Sequence, residues 1–432
     1  MSIDCQSDHR LLKLSYLYKL YYMHQLKVNE LSKKLSKQKK SVLARSCSNT
    51  LRQGTYKKSC LQLDLRNFDK ILEIGENYAW VEPKVTIYDL VTQTLKLGLI
   101  PAVVPEFKSI TIGGAIMGAA LESSSHRYGQ FNDICLEYEL LLGDGSVVTA
   151  SANKHADLFY GISGSYGTLA VLTKAKVRLI KAKPYVALSY LLKFPEAKAD
   201  FCDAVALAPG EICTIEAEMV DLPFYPLYQQ KGSFFKHILS YPSQESMHLK
   251  EYLFRFDKGA FWMGRQIPFG MSIPSKFLYR GLHTMPQKMI ANRFFIHDYY
   301  VPSEHAQEVF NTFSKETNIY PIWLCPIKGT TTPQFLAPHY GKKSFVNIGI
   351  YGKIKDSIFL SSKLERDILS FGGRKMLYSL TYYDEETFNK EYDAERYSLL
   401  RQKYHAEGAF PSLFNKVCQQ SIPLKTTISE IT

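Results

Sequence analysis

The chain has 432 residues, 46% of them hydrophobic and 22% charged. That composition excludes a disordered or fibrous polypeptide and suits two domains, with room for a third. Its 53 basic and 41 acidic side chains leave a formal charge of +12, which favours an anionic partner (nucleic acid, an anionic membrane or a phosphorylated ligand) without choosing among them.

The start, MSIDCQSDHR, lacks the basic-then-apolar order of a signal peptide. The longest near-apolar run, Ile112 to Leu121, is ten residues, against the ~20 that a transmembrane helix requires. The expectation is a cytoplasmic protein. Eight cysteines include no C-x-x-C pair and no His/Cys cluster at zinc-ligand spacing, which points to reduced thiols and no metal site. Residues 11–35 read as a helix with two apolar stripes, one through Leu14, Leu17, Tyr18 and Tyr21, the other through Val28, Leu31 and Leu35. The Leu, Tyr and Lys mix of LLKLSYLYKLYYMHQL suits peripheral binding to an anionic membrane, and equally a helix docked on its own domain. From Lys27 to Arg45 there are seven basic residues and one acid. No nucleic-acid motif accompanies them, so nucleic acid is not expected as a partner.

SVLARS then reads as a strand, TIYDLVTQTLKLG as a helix and LIPAVVP as a strand. ICLEYELLLGDGSVVTA reads as two strands joined at Gly143 to Gly145, and GTLAVLTKAKVRLIKAKP as another, closed by Pro184. Residues 1–183 therefore form an α/β or α+β module. After Pro184 the texture changes: 222–285 is rich in Phe, Tyr, Pro and Gly, and strands FFIHDYYVP, IYPIWLCPI and SFVNIGIYG alternate with helices EHAQEVFNTFSKE and SKLERDILSFGG. This gives a second α+β domain over 184–380. A helical tail over 381–432 is expected to fold back on the first domain. The fold class expected for the whole is α+β.

The densest chemistry lies in TIGGAIMGAALESSSHRYG. Glycine lets backbone approach a ligand closely and offers N–H donors, and the serines and Arg127 add donors for phosphate oxygens. Together they suit a diphosphate joined to a flat ring; a Gly-rich turn packing helix on strand is the plainer alternative. The cluster is neither a nicotinamide fingerprint nor a P-loop, for G-x-G-x-x-G and G-K-[ST] are both absent.

About forty residues on, DLFYGISGSYGTLAVLT places Gly161, Gly164 and Gly167 before an apolar strand. The two blocks together resemble the FAD domain of the vanillyl-alcohol oxidase and p-cresol methylhydroxylase flavoproteins. With VEPKVTI, PFG, YPIWLCP and IGIYG, the chain is similar to the Δ24-sterol reductase (24-dehydrocholesterol reductase) family over about residues 45 to 418. The resemblance implies FAD between two subdomains of residues 1–183, with a cap domain over its flavin ring. It implies that Thr111, Ile112, Gly113, Gly114, Ala115 and Ile116 line the diphosphate and ribityl chain, continued by Met117, Gly118, Ala119, Ala120, Leu121, Glu122 and Ser123. Ser124 and Arg127 add donors, Tyr128, Gly129, Asp133 and Ile134 follow along the cofactor, and Val171 offers backbone to the adenine half. The earlier loop Ser46, Cys47, Ser48, Asn49 and Thr50 faces the diphosphate from the other subdomain. RSCSNT lacks the Gly-rich loop, often ending in histidine, of most of the superfamily, which favours this branch and implies non-covalent FAD. The family's G-T-L-G is here Gly167-Thr168-Leu169-Ala170. NADPH is implied as hydride donor by resemblance alone.

Candidate acids are Glu216 in CTIEAEMV and Asp298 in FFIHDYYVP, each alternating with apolar residues, then Tyr351, and Glu122 beside His126. Tyr320 and Tyr378 are further pocket candidates. Each has a bland alternative as a satisfied strand carboxylate, a loop hydrogen-bonder or a packing ring. The expected function is FAD-dependent reduction of a sterol side-chain double bond, in a pocket supplied by the aromatic stretch 254–282. The alternatives are a flavin oxidase or dehydrogenase of an alcohol or polyprenyl-phosphate sugar, and a non-catalytic lipid-binding flavoprotein.

Overall fold

The computed structural model describes residues 5–35, 40–43, 50–51 and 60–418. Helix α1 (Cys5–Leu35) sorts its faces by apolar spacing. Val28, Leu31 and Leu35 are buried with Leu63, Leu141 and Val171, while Tyr18, Tyr22 and Leu26, four residues apart, are exposed. Buried His24 stands 2.7 Å from both Glu82 and Glu139, and Lys174 is 2.9 Å from Glu139. Burial alone would keep His24 neutral, but its hydrogen bonds to the two carboxylates outweigh it and raise its pKa. Burial would likewise raise Glu139, yet His24 and Lys174 bring it down to about 2. From Tyr21, whose hydroxyl reaches Glu73 at 3.0 Å, the helix is docked on the first sheet.

β1 (Ser41–Leu43) pairs in parallel with β2 (Leu61–Leu63). The first large sheet holds β3 (Ile71–Ile74), β4 (Tyr78–Val81), β5 (Leu99–Pro101), β6 (Cys135–Leu141), β7 (Val147–Ser151) and β8 (Val171–Lys181). Its order is β3-β4-β8-β6-β7, with β5 also on β8, and every pair is antiparallel. The predicted hairpin joins β6 and β7 through Gly145, whose φ of +90° glycine tolerates. Helix α2 (Ile87–Thr94) is capped by Thr86, whose hydroxyl accepts from Asp89 N at 3.0 Å, and it buries Leu90 and Val91.

The second sheet holds β9 (Tyr185–Leu191), β10 (Phe201–Ala208), β11 (Glu211–Val220), β12 (Gln244–His248), β13 (Phe294–Pro302), β14 (Ile322–Lys328), β15 (Ser344–Lys353) and β16 (Arg374–Lys375). Among the described residues its order is β12-β9-β11-β10-β14-β15-β13-β16, again antiparallel throughout. Antiparallel pairing in both large sheets makes the fold α+β, although helix–strand alternation in the first half left α/β open. Period-2 alternation divides the second sheet into two cores. Phe295, Tyr299 and Val301 face helices Ala306–Thr317 and Ser357–Ser370, whereas Ile296 and Tyr300 face the first domain's core.

Polar ties join the two halves. Asp133 accepts from Gln334 and contacts His339, both at 2.6 Å, and Gln130 reaches the Tyr300 hydroxyl at 2.6 Å. The tail returns to the first domain: Arg401 donates to the Thr168 carbonyl at 2.6 Å, and the Tyr397 hydroxyl donates to Thr168 at 2.7 Å.

Candidate functional site

A cavity of about 1260 Å³ lies between the stretch 106–121 and the inward face of the second sheet, closed over by the segment 260–285. It exceeds the ~300–1,000 Å³ of a single small-molecule pocket. Helix α3 (Ile112–Met117) explains which predicted residues reach it. Thr111 caps α3, its hydroxyl accepting from Gly114 N at 3.3 Å. One helical face then lines the cavity through Thr111, Gly114, Met117, Gly118 and Leu121, followed by Ala120. Ile112, Ala115 and Ile116 belong to the other face and are buried in the core. Gly113 lies tight against Pro83, where a Cβ would come within 2.8 Å, so it serves packing.

The predicted cofactor residues from Ala119 to Val171 other than Ala120 and Leu121 do not line the cavity. Ala119 is buried. Ser123 accepts from Cys202 N through its carbonyl, and the Ser124 hydroxyl donates to the Ala102 carbonyl at 2.8 Å. Arg127 pairs with Asp200, His126 contacts two carbonyls, and Tyr128 lies beside Arg178. Gly129 packs on Asp133, which makes the inter-domain tie. Ile134 is in the core, and Val171 packs under α1. Thr50 lines the cavity, its hydroxyl donating to the Tyr378 carbonyl at 2.6 Å. Ser46, Cys47, Ser48 and Asn49 lie outside the described residues.

The four acid candidates separate sharply. Asp298 and Tyr351 both line the cavity, and Tyr378 joins them. The Tyr351 hydroxyl and the Asn347 amide each donate to Asp298 Oδ1 at 2.7 Å, and the Tyr378 hydroxyl donates to Oδ2 at 2.6 Å. Burial raises the Asp298 pKa although these three donors oppose it, and burial also keeps both phenols neutral. Glu216 is a correction to the sequence expectation that it points into this pocket. It pairs across from Cys202, and its strand neighbours Cys213, Ile215 and Ala217 take the inward face. One residue of register puts its carboxylate on the other side. Glu122 is buried behind the α3 wall, 3.1 Å from Arg255, which also donates to Asp203 at 2.8 Å. Neither Glu122 oxygen is aligned for a hydrogen bond, and burial pushes its pKa up to about 7 against the pull of Arg255. Tyr320 lies outside the cavity lining.

Glu106 was not anticipated. It lines the cavity, and burial, followed by the nearby charges of Glu122 and Asp298, holds its pKa well above the ordinary carboxylate range. A lone acid in a loop has no periodicity to reveal its direction, although Pro105 and Phe107 beside it hinted at an apolar setting. Ser109 also lines the cavity, and its hydroxyl is buried with no hydrogen-bond partner among the described residues. Among the described residues, six cations (Lys84, Lys276, Arg280, Arg293, Lys353 and Lys416) line the cavity against two carboxylates.

The FAD binding domain family matches residues 23–151, a span that contains the α3 wall. The Delta(24)-sterol reductase of Homo sapiens is 32% identical over 416 residues, covering 86% of this chain and 80% of that protein.

The chain belongs to the Delta(24)-sterol reductase family.

Family relatives reach well beyond mammals. The Delta(24)-sterol reductase of Pisum sativum is 28% identical over 85% of this chain and 78% of its own length. The Delta(24)-sterol reductase homolog of Caenorhabditis elegans is 28% identical over 81% and 77%. The site of this family member fits FAD on its own chemistry. Gly114 and Gly118 present bare backbone, the buried Ser109 hydroxyl has no partner among the described residues, and the excess of cations there complements a diphosphate.

Proposed function

We propose that this enzyme reduces the side-chain double bond of a sterol at its FAD, that NADPH supplies the reducing equivalents, and that Asp298, Tyr351 and Tyr378 deliver the proton. The observation that carries the reading is one cavity with two unlike walls. The α3 wall of small residues and the Asp298 cluster both open into it, and Phe107, Phe261, Leu278, Leu282 and Trp323 line the space. Burying ~300 Å² of sterol there at ~25 cal/mol per Å² contributes about 7 kcal/mol before association costs.

Bound FAD supplies a hydride from its reduced flavin; the protein must supply the rest. An isolated trisubstituted alkene has no carbonyl to accept charge, so protonation leads. A proton placed on the CH carbon leaves positive charge on the dimethyl carbon, where alkyl groups stabilise it. The donor must therefore stay protonated near neutral pH. Burial disfavours the Asp298 anion and raises its pKa, the direction this role requires. Tyr351 and Tyr378 share its two oxygens; when Asp298 carries the proton, it can donate to one phenol oxygen. That phenol's own hydrogen is then released toward the cavity, and Asp298 restores it afterwards.

The test is anaerobic. The purified yellow protein should bleach on adding NADPH, and a sterol with the side-chain double bond should be recovered saturated. Bleaching by an alcohol but not by NADPH favours an oxidase on the same fold, and bleaching by neither favours a lipid-binding flavoprotein.

A further inference from the structure

Between Asp257 and Asp298 the chain carries Lys258, Arg265, Lys276, Arg280, Lys288 and Arg293 and no acid. This stretch is the rim of the cavity. Its first part is a loop closed at the base by a bridge between Lys258 and Pro274 and by Gly259 N–H donating to the Ile273 carbonyl at 2.9 Å. Halfway along, Gly264 and Gly270 meet backbone to backbone; a Cβ on either would strike the other's carbonyl oxygen. The neck is thus pinned, and the apex between the glycines is presented outward. There Ile267 is 47% exposed and Phe269 90% exposed.

Phe269 also holds a φ of +58°, a left-handed conformation that a bulky residue adopts at a cost. Neither local preference nor core packing accounts for its position. Beside the loop, helix Ser275–Thr284 buries only Ser275. It exposes half of Phe277, whose ring lies 5.2 Å from the Lys276 ammonium and 5.9 Å from the Arg280 guanidinium. Ile267, Lys276, Phe277 and Arg280 also line the cavity, so the exposed apolar and cationic groups form its lip.

We infer that this lip docks on an anionic lipid bilayer, with Ile267, Phe269 and Phe277 entering the interface and Arg265, Lys276 and Arg280 meeting lipid phosphates. Aromatic and aliphatic tips among cations, on a stretch with no acid from Lys258 to His297, have the composition of an interfacial anchor. Docked this way, the mouth faces the lipid in which an apolar substrate dissolves. That last step rests on the sterol reading, whereas the docking does not.

Sedimentation of the full chain with vesicles of phosphatidylcholine and phosphatidylserine tests it, against vesicles of phosphatidylcholine alone. Wild type should pellet with the anionic vesicles, less so as salt rises. Phe269→Ser should weaken partitioning about tenfold, as expected for removing one inserted aromatic ring, with flavin content and thermal unfolding unchanged. Sterol presented in vesicles should be turned over more slowly by this variant, and sterol presented in cyclodextrin at the wild-type rate. The inference is overturned if wild type fails to pellet, or if Phe269→Ser and Phe277→Ser both pellet as wild type does, which moves binding to another surface such as the α1 stripe. It is also overturned if Phe269→Ser splits a dimer in solution without altering vesicle binding. Lip-dependent pelleting with no sterol reduction would leave the docking standing and sink the function.

Discussion

At Asp298 three donors converge on one buried carboxyl, and the balance between them and burial decides its chemistry. The donors favour the anion, burial disfavours it, and burial wins. An acid whose folded pKa is raised is protonated below that pKa and loses its proton as pH rises through it. Alkene reduction should therefore fall on the alkaline side, while bleaching by NADPH should not share that limb. Asp298→Asn should slow alkene reduction by about 10²–10⁴-fold, the usual contribution of a general acid, and should abolish the alkaline limb. Stopped-flow measurement of the two half-reactions separates these effects. If Asp298→Asn leaves the limb in place and Glu106→Gln removes it, the proton belongs to Glu106, the other carboxylate lining the cavity among the described residues.

At the scale of elements, α3 turns a run of small residues into a wall by helical spacing alone. Gly114 faces the cavity, and a Cβ there would meet only the Thr111 hydroxyl, at 3.2 Å. Gly114→Val should therefore fold, but its methyls should displace the cofactor at about 1–3 kcal/mol or more, giving a colourless protein. Full flavin occupancy in this variant would reduce the cluster to a turn. The Gly/Ser run stood out in the sequence as a distinct segment, and part of it lines the cavity. Its division into cavity-facing and core-facing residues was not legible, because the short helix was not read. The same gap explains the carboxylates. Asp298 and Glu216 both alternate with apolar residues, and alternation says that a strand has two faces, not which face looks at the ligand. Only pairing of β11 with β10 fixes that. Strands β13, β14 and β15 and the β6–β7 hairpin were legible from period and turn chemistry, whereas β9 and β10 were not read. Docking of α1 was left open, because it depends on His24 meeting Glu82 and Glu139, which lie 58 and 115 residues away.

At the scale of the molecule, two antiparallel sheets enclose one cavity that neither domain builds alone, which is why its contents could be named from sequence only through family resemblance. The first domain contributes the α3 backbone with Lys84 and Glu106, and the second contributes the Asp298 cluster, most of the cations and the aromatic segment that makes the lining and the lip. The central claim is that reduced flavin and the Asp298 cluster act together on one sterol double bond. Its most direct measurement is a single anaerobic turnover: protein bleached with one equivalent of NADPH is mixed with a Δ24-sterol, and flavin absorbance and sterol mass are followed together. Yellow colour should return in step with formation of one saturated sterol per flavin, quickly in wild type and slowly in Asp298→Asn. Colour that returns only on admitting oxygen, with the sterol recovered unchanged, would contradict it.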